Sequence, residues 1–272
     1  MLRIETADGW ILIEHRDHAR LAGRFAEHWG NDDFAPPEPF PDVHVAVSRH
    51  DDAWAERDAL PCLTREGRPS AFSKELVGKY SAFEEIDLLD YLAVRGRATE
   101  AVAAENPFAA LLISMHTVNL LTDQADLSGL SPAEREAHGR FVEAQKNRQL
   151  GLAQRHLAGG GVAPHLEPAS LRRAFAFLQA CDHLSLLACV GHPEPTTLRH
   201  AHPARDGTMT TLRCVPQGNS TYRLDPYPFD RDHLEFSVPA RFLPGRSWRD
   251  QEAFRADCRA ARTEPVLVRI VS

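Results

Sequence analysis

The sequence predicts a mainly α-helical chain: a helical bundle core over about residues 14–190, with a small antiparallel β-sheet formed by the N-terminal hairpin and the C-terminal strands. Three observations predict it. Capping signals and apolar stripes at helical spacing recur from residue 14 to 190. An alternating stretch with a two-residue turn signal precedes them, and after Gly191 the chain becomes short β-prone segments broken by Pro and Gly. All 272 residues read as a single domain, β-rich over about 1–13 and 194–272.

"RIETADGWILIEH" alternates around Asp8-Gly9, which predicts a hairpin. A helix follows from about residue 14 to Trp29, stopped by Gly30-Asn31. "DDFAPPEPFPD" is a Pro-rich loop, and residues 43–57 read as a second helix. The stretch 60–75 is irregular and carries Arg65, Arg68 and Lys74, and helical periodicity returns over about 76–104. Asn106-Pro107 opens a helix through "FAALLISMHTVNLL", with Asn as cap and Pro in the first turn. Ser131-Pro132-Ala133-Glu134 is a capping box for a long amphipathic helix that ends at the glycines of 159–161. "SLRRAFAFLQACDHLSLLACV" makes a further helix over about 170–190. Short strands, a brief helix near 248–261 and the strand "PVLVRIVS" complete the chain.

A net charge of −7 argues against nucleic acid or an anionic membrane as partner. No apolar run is long enough to span a bilayer, and the first fifteen residues lack the pattern of a signal peptide. Five cysteines without a CxxC pair suit a reducing cytoplasm. GxSxG, GxxxxGK[ST] and GxGxxG are all absent.

The fourteen histidines carry the chemistry, because several fall on apolar helix faces. His18 lines up with Leu21, Ala22, Phe25 and Trp29, with His15 one turn earlier. His50 continues the stripe of Val43, Val47 and Trp54, with Asp51 and Asp52 beside it. His116 lies with Leu112, Met115 and Leu120, and Asp182 falls in the row of Leu171, Phe175, Leu178, Ser185 and Cys189. A carboxylate on the inner face of a nearly all-apolar helix needs a cation or strong donors beside it. Imidazoles and carboxylates pointing inward from several helices suit a divalent ion such as Mn²⁺, Fe²⁺, Zn²⁺ or Ni²⁺. The same side chains could instead form a buried hydrogen-bond network without catalysis.

The order of His18 followed by Leu21-Ala22, the pair His50-Asp51, His116, and "ACDHLS" around Asp182 resembles the HD superfamily of metal-dependent phosphohydrolases. The resemblance implies an HD-like helical bundle in which His18, His50, Asp51 and Asp182 hold one metal. His116, with His15 or His183, would hold or approach a second. Asp51 would then bridge the two ions, while His116, His183 and Asp52 would serve as catalytic groups. Arg65, Arg68 and Lys74 would contact the anion of a small phosphorylated or nucleotide-like substrate. A di-iron oxygenase is the alternative reaction for the same ligands. Neither a monomer nor a homo-oligomer is specified. "HRDHARLAGRFAEHW", "HDDAWAERD", "AALLISMHTVNLL" and "FLQACDHLSLLAC" resemble a bacterial family, domain of unknown function 3891, over most of residues 1–190.

Overall fold

The N-terminal alternation folds into the expected hairpin: β1 (Leu2–Glu5) pairs antiparallel with β2 (Gly9–Ile13), Leu2 opposite Ile13. The computed structural model describes residues 1–77, 87–200 and 202–272. Among these, the helices are α1 (His15–Glu27), α2 (Phe40–Arg49), α3 (Ala55–Ala59), α4 (Leu88–Ala103), α5 (Pro107–Asn119), α6 (Pro132–Ala158), α7 (Pro168–Cys189) and α8 (Gln251–Ala260).

The capping signals act where the sequence places them. Asn106 accepts a hydrogen bond from the Ala109 N–H at 2.9 Å, and Ser131 and Glu134 form the reciprocal capping box of α6. Two helices differ from expectation. Residues 43–57 do not form one helix: α2 ends at Arg49, a 3₁₀ turn spans Asp52–Trp54, and α3 follows. Asp51 leaves the helical region (φ −116°, ψ 14°), because its carboxylate is engaged by side chains of distant helices. The expected helix over 76–104 begins at Leu88, where the Asp87 side chain caps two backbone N–H groups. Residues 78–86 of that expectation lie outside the described ones.

The fold class itself is corrected. The sheet is neither small nor purely antiparallel: seven strands run in the order β1-β2-β8-β9-β7-β6-β3 and curl into a half-barrel. The later strands are β3 (Thr196–Thr197), β6 (Arg213–Gly218), β7 (Thr221–Asp225), β8 (His233–Pro244) and β9 (Thr263–Val271). β7 and β9 pair in parallel, and β8 and β9 pair antiparallel from His233↔Val271 to Arg241↔Thr263. A separate two-stranded ribbon joins β4 (His202–Pro203) and β5 (Met209–Thr210). The architecture is therefore a large mixed sheet with helices packed against it, not a helical bundle with a β appendage.

One buried cluster joins Phe25 of α1, Phe177 and Leu184 of α7, and Leu234, Val238 and Ile270 of the sheet. A smaller cluster on the far side of the β1–β2–β8 edge puts Trp10, Leu12 and Leu243 against Phe254 of α8. The sheet and α1 thus press α7 into the centre of the molecule, which is why its residues from Ala176 to Val190 are buried throughout. No described helix is long and apolar enough to cross a membrane.

Candidate metal centre

Five side chains from four segments meet beside a cleft that Asp51, His116 and Asp182 line: His18 of α1, His50 and Asp51 at the break after α2, His116 of α5 and Asp182 of α7. All are at most 4 % exposed. His18, His50 and Asp51 form one group, and His50, His116 and Asp182 another. Within each group the candidate ligand atoms lie within 4.8 Å of one another.

Two imidazoles are oriented through their Nδ1 atoms. Ser185 Oγ donates to the Asp182 main-chain carbonyl at 2.8 Å, so it accepts from His18 Nδ1–H at 2.9 Å. His50 Nδ1–H donates to the Val47 carbonyl at 2.8 Å. With Nδ1 so committed, each ring turns its Nε2 toward a carboxylate. His18 Nε2 is 3.0 Å from Asp51 Oδ2. His50 Nε2 is 3.2 Å from Asp182 Oδ1 and 3.9 Å from Asp51 Oδ2, and buried His116 Nδ1 has no hydrogen-bond partner. Atoms that ligate one ion at about 2.1 Å lie roughly 3–3.5 Å apart, so this donor set fits a divalent metal. An outer oxygen on the second ring nitrogen is the usual support of a metal-binding histidine.

The electrostatics are those of a buried ion cluster. Burial alone would lower the His50 imidazole, but the Asp51 and Asp182 carboxylates outweigh it and raise it to about 9. Burial pushes His116 down to about 3, so it is neutral. Asp51 and Asp182 resist the upward pull of burial. Arg95, then His50, holds Asp51 well below the carboxylate range, and His50 holds Asp182 down.

The remaining sequence-predicted residues are not in the cluster. His15 lines the same cleft, but its Nδ1 lies 2.9 Å from Asp58 and its ring stacks on Trp54 at 4.4 Å. His183, about 100° around α7 from Asp182, accepts from the Arg199 N–H at 3.1 Å and does not line the cleft. Asp52 bonds Arg20 at 3.0 Å and Arg49 at 2.9 Å, on the outer side of the break. Arg65, Arg68 and Lys74 are exposed, and none lines the cleft. The loop that carries Arg65 and Arg68 is tied instead to the segment before α8, through Trp248 N–H to the Gly67 carbonyl at 2.8 Å.

Among the described residues, the arginines that line the cleft are Arg57 and Arg95. Arg95 is 4 % exposed, and its Nη1 lies 2.6 Å from Asp51 Oδ1. Its signal was in the sequence. Arg95 interrupts the apolar row of Leu88, Tyr91, Leu92, Ala98 and Val102 just as Asp182 interrupts that of α7. Asp58, the partner of His15, carried no such signal, because α3 is too short to show a stripe.

No curated protein and no solved structure matches this chain. A family model described as protein of unknown function (DUF3891) matches residues 1–245, and the chain belongs to that family.

Proposed function

We propose that this protein is a metal-dependent hydrolase of the HD type, acting on a small phosphorylated substrate. The observation that carries the reading is the orientation of His18 and His50. Both are pinned through Nδ1, and both aim Nε2 at buried carboxylates, so that one ion could meet all four side chains. The unpartnered His116 Nδ1 counts against a closed polar network, since buried polar atoms are ordinarily satisfied.

His18, His50, Asp51 and Asp182 would hold the ion, which when bound would supply Lewis acidity and a lowered pKa for water. The chain's own residues do the rest. Ser185 and Val47 fix the two rings, so the ligands need little reorganisation. Neutral His116, beside the ligands and on the cleft wall, is placed to accept or return a proton. The Arg57 and Arg95 guanidinium groups offer donors to phosphoryl oxygens. Trp54, Phe72, Tyr91 and Leu186 line the rest of the cleft with largely apolar surface.

The test is elemental analysis of the untagged protein beside His50→Ala and Asp182→Ala, with folding checked by circular dichroism, followed by Mn²⁺-stimulated hydrolysis of bis(p-nitrophenyl) phosphate. Near-stoichiometric metal in the parent, lost from both folded variants, with turnover that follows the metal, is the expected result. A parent that takes up no Mn²⁺, Fe²⁺, Zn²⁺ or Ni²⁺ on reconstitution sinks the reading.

A further inference from the structure

The two carboxylate oxygens of Asp51 face different neighbours. Oδ2 looks toward His18 at 3.0 Å and His50 at 3.9 Å, while Oδ1 receives Arg95 Nη1 at 2.6 Å. In the two-metal arrangement that the sequence resemblance implies, Asp51 would give one oxygen to each of two ions about 3.5–4 Å apart. Here the second oxygen already faces a cation that does not dissociate. Arg95 cannot lose its proton at any ordinary pH. The guanidinium is also held in place: it lies 5.3 Å from the Trp54 ring and 5.2 Å from the Tyr91 ring, and Nε donates to Tyr91 Oη at 3.2 Å.

A second observation leads to the same oxygen. The two candidate groups, His18-His50-Asp51 and His50-His116-Asp182, share His50. Its Nδ1–H is committed to the Val47 carbonyl, so only Nε2 can ligate, and that nitrogen has one lone pair. The two groups therefore cannot each complete a separate ion through it, and a second ion would have to use Asp51 Oδ1, where Arg95 sits.

We propose that the centre holds a single divalent ion and that Arg95, seated on Asp51 Oδ1, takes the place of a second metal. This rests on the metal-centre reading above and makes it specific. The built-in guanidinium supplies the second positive charge beside the cleft, which suits recognition of an anionic substrate and sets aside chemistry that needs two irons bridged by Asp51. Arg95 is a positioning and charge-balancing residue for the ion. Its removal should change how many ions bind.

The experiment is a Mn²⁺ titration of metal-free full-length protein, counted by equilibrium dialysis with elemental analysis and read by electron paramagnetic resonance. Parent, Arg95→Gln and Arg95→Lys are compared. The parent should hold one ion per chain with the spectrum of an isolated Mn²⁺. Arg95→Gln should gain a second ion, bound at least about tenfold more tightly than any second ion in the parent, with a spin-coupled signal, since removal of a neighbouring cation lowers the repulsion it meets. Arg95→Lys should behave as the parent does. Two coupled ions in the parent would overturn the inference while leaving the metal centre intact, and that measurement needs no variant to fold. A folded Arg95→Gln with the parent's count and affinity would overturn it as well. A parent that binds none would remove the metal reading beneath it.

Discussion

Asp51 and Asp52 are neighbours in sequence and opposites in environment, and that contrast is the sharpest residue-scale prediction. Asp51 lies 2.6 Å from a buried arginine, whereas Asp52 bonds two arginines on the outer side of the break. Removal of one partner from a buried pair costs about 3–5 kcal/mol, against about 1 kcal/mol or less for a surface pair. Urea unfolding of metal-free protein should therefore show Asp51→Asn destabilised by the larger amount and Asp52→Asn hardly at all; equal effects would contradict these placements. Acid should weaken the fold through its buried neutral histidines. Burial, partly offset by Asp58, lowers His15 from 6.5 to about 4, and His116 and His183 are pushed to about 3. Between about pH 6.5 and 4 the unfolded chain takes up protons that the folded chain refuses, so stability falls as pH falls. His50 works in the other direction, since its raised pKa of about 9 contributes fully below 6.5 and is lost only as pH rises toward 9. His15→Gln should reduce the slope of stability against pH between 6.5 and 4 by about one proton. An unchanged slope would mean that His15 is protonated in the folded state. Much of this cluster was legible. His18, His50, Asp51, His116 and Asp182 were readable as polar residues on apolar stripes, and so, by the same rule, was Arg95. His15 and His183 carried a similar signal but turned elsewhere, because one turn or one residue changes what a helical side chain meets.

At the scale of elements, local chemistry predicted starts and stops well and pairing poorly. Asn106, Ser131 and Glu134 act within one turn of their own position, so their capping is visible without any fold. Ser131→Ala should cost about 1 kcal/mol by thermal or urea unfolding, with the metal content of the protein unchanged. Gly9 is the strand counterpart. Its place in β2 puts it against β8, where a Cβ would overlap the Leu243 main-chain carbonyl. Gly9→Ala should therefore cost more than the loss at Ser131, on the order of 2 kcal/mol, because the obstacle is backbone and cannot rotate away. A neutral result would mean that β2 and β8 can separate without loss. The break after Arg49 is the case that no local rule foretold. Helical periodicity runs straight through His50 to Arg57, but Asp51 is drawn out of the helix by His18 and Arg95, which lie 33 residues before it and 44 after.

The whole molecule depends on a seven-stranded sheet larger than the sequence pattern predicts. β9 lies between β8 and β7, and its Val268 and Ile270 belong to the same buried cluster as α1 and α7. The family match ends at residue 245, before α8 and β9. A chain cut at 245 should nevertheless fail to fold cooperatively, since it leaves β7 and β8 without the strand between them and uncovers apolar residues under α7. The full chain should unfold in one calorimetric transition. A folded, metal-binding truncation would show that the helical part stands alone. The sequence by itself determined the helices of the core, their caps, the N-terminal hairpin and the set of inward histidines and carboxylates, because these rest on periodicity and on contacts within about four residues. Only the tertiary structure decided that the terminal strands join one curled mixed sheet, that Arg95 answers Asp51, and that Arg65, Arg68 and Lys74 stay outside the cleft. Strand register and the pairing of buried charges are settled between residues far apart in the chain, where hydrophobic pattern constrains which face is buried but not which partner it meets.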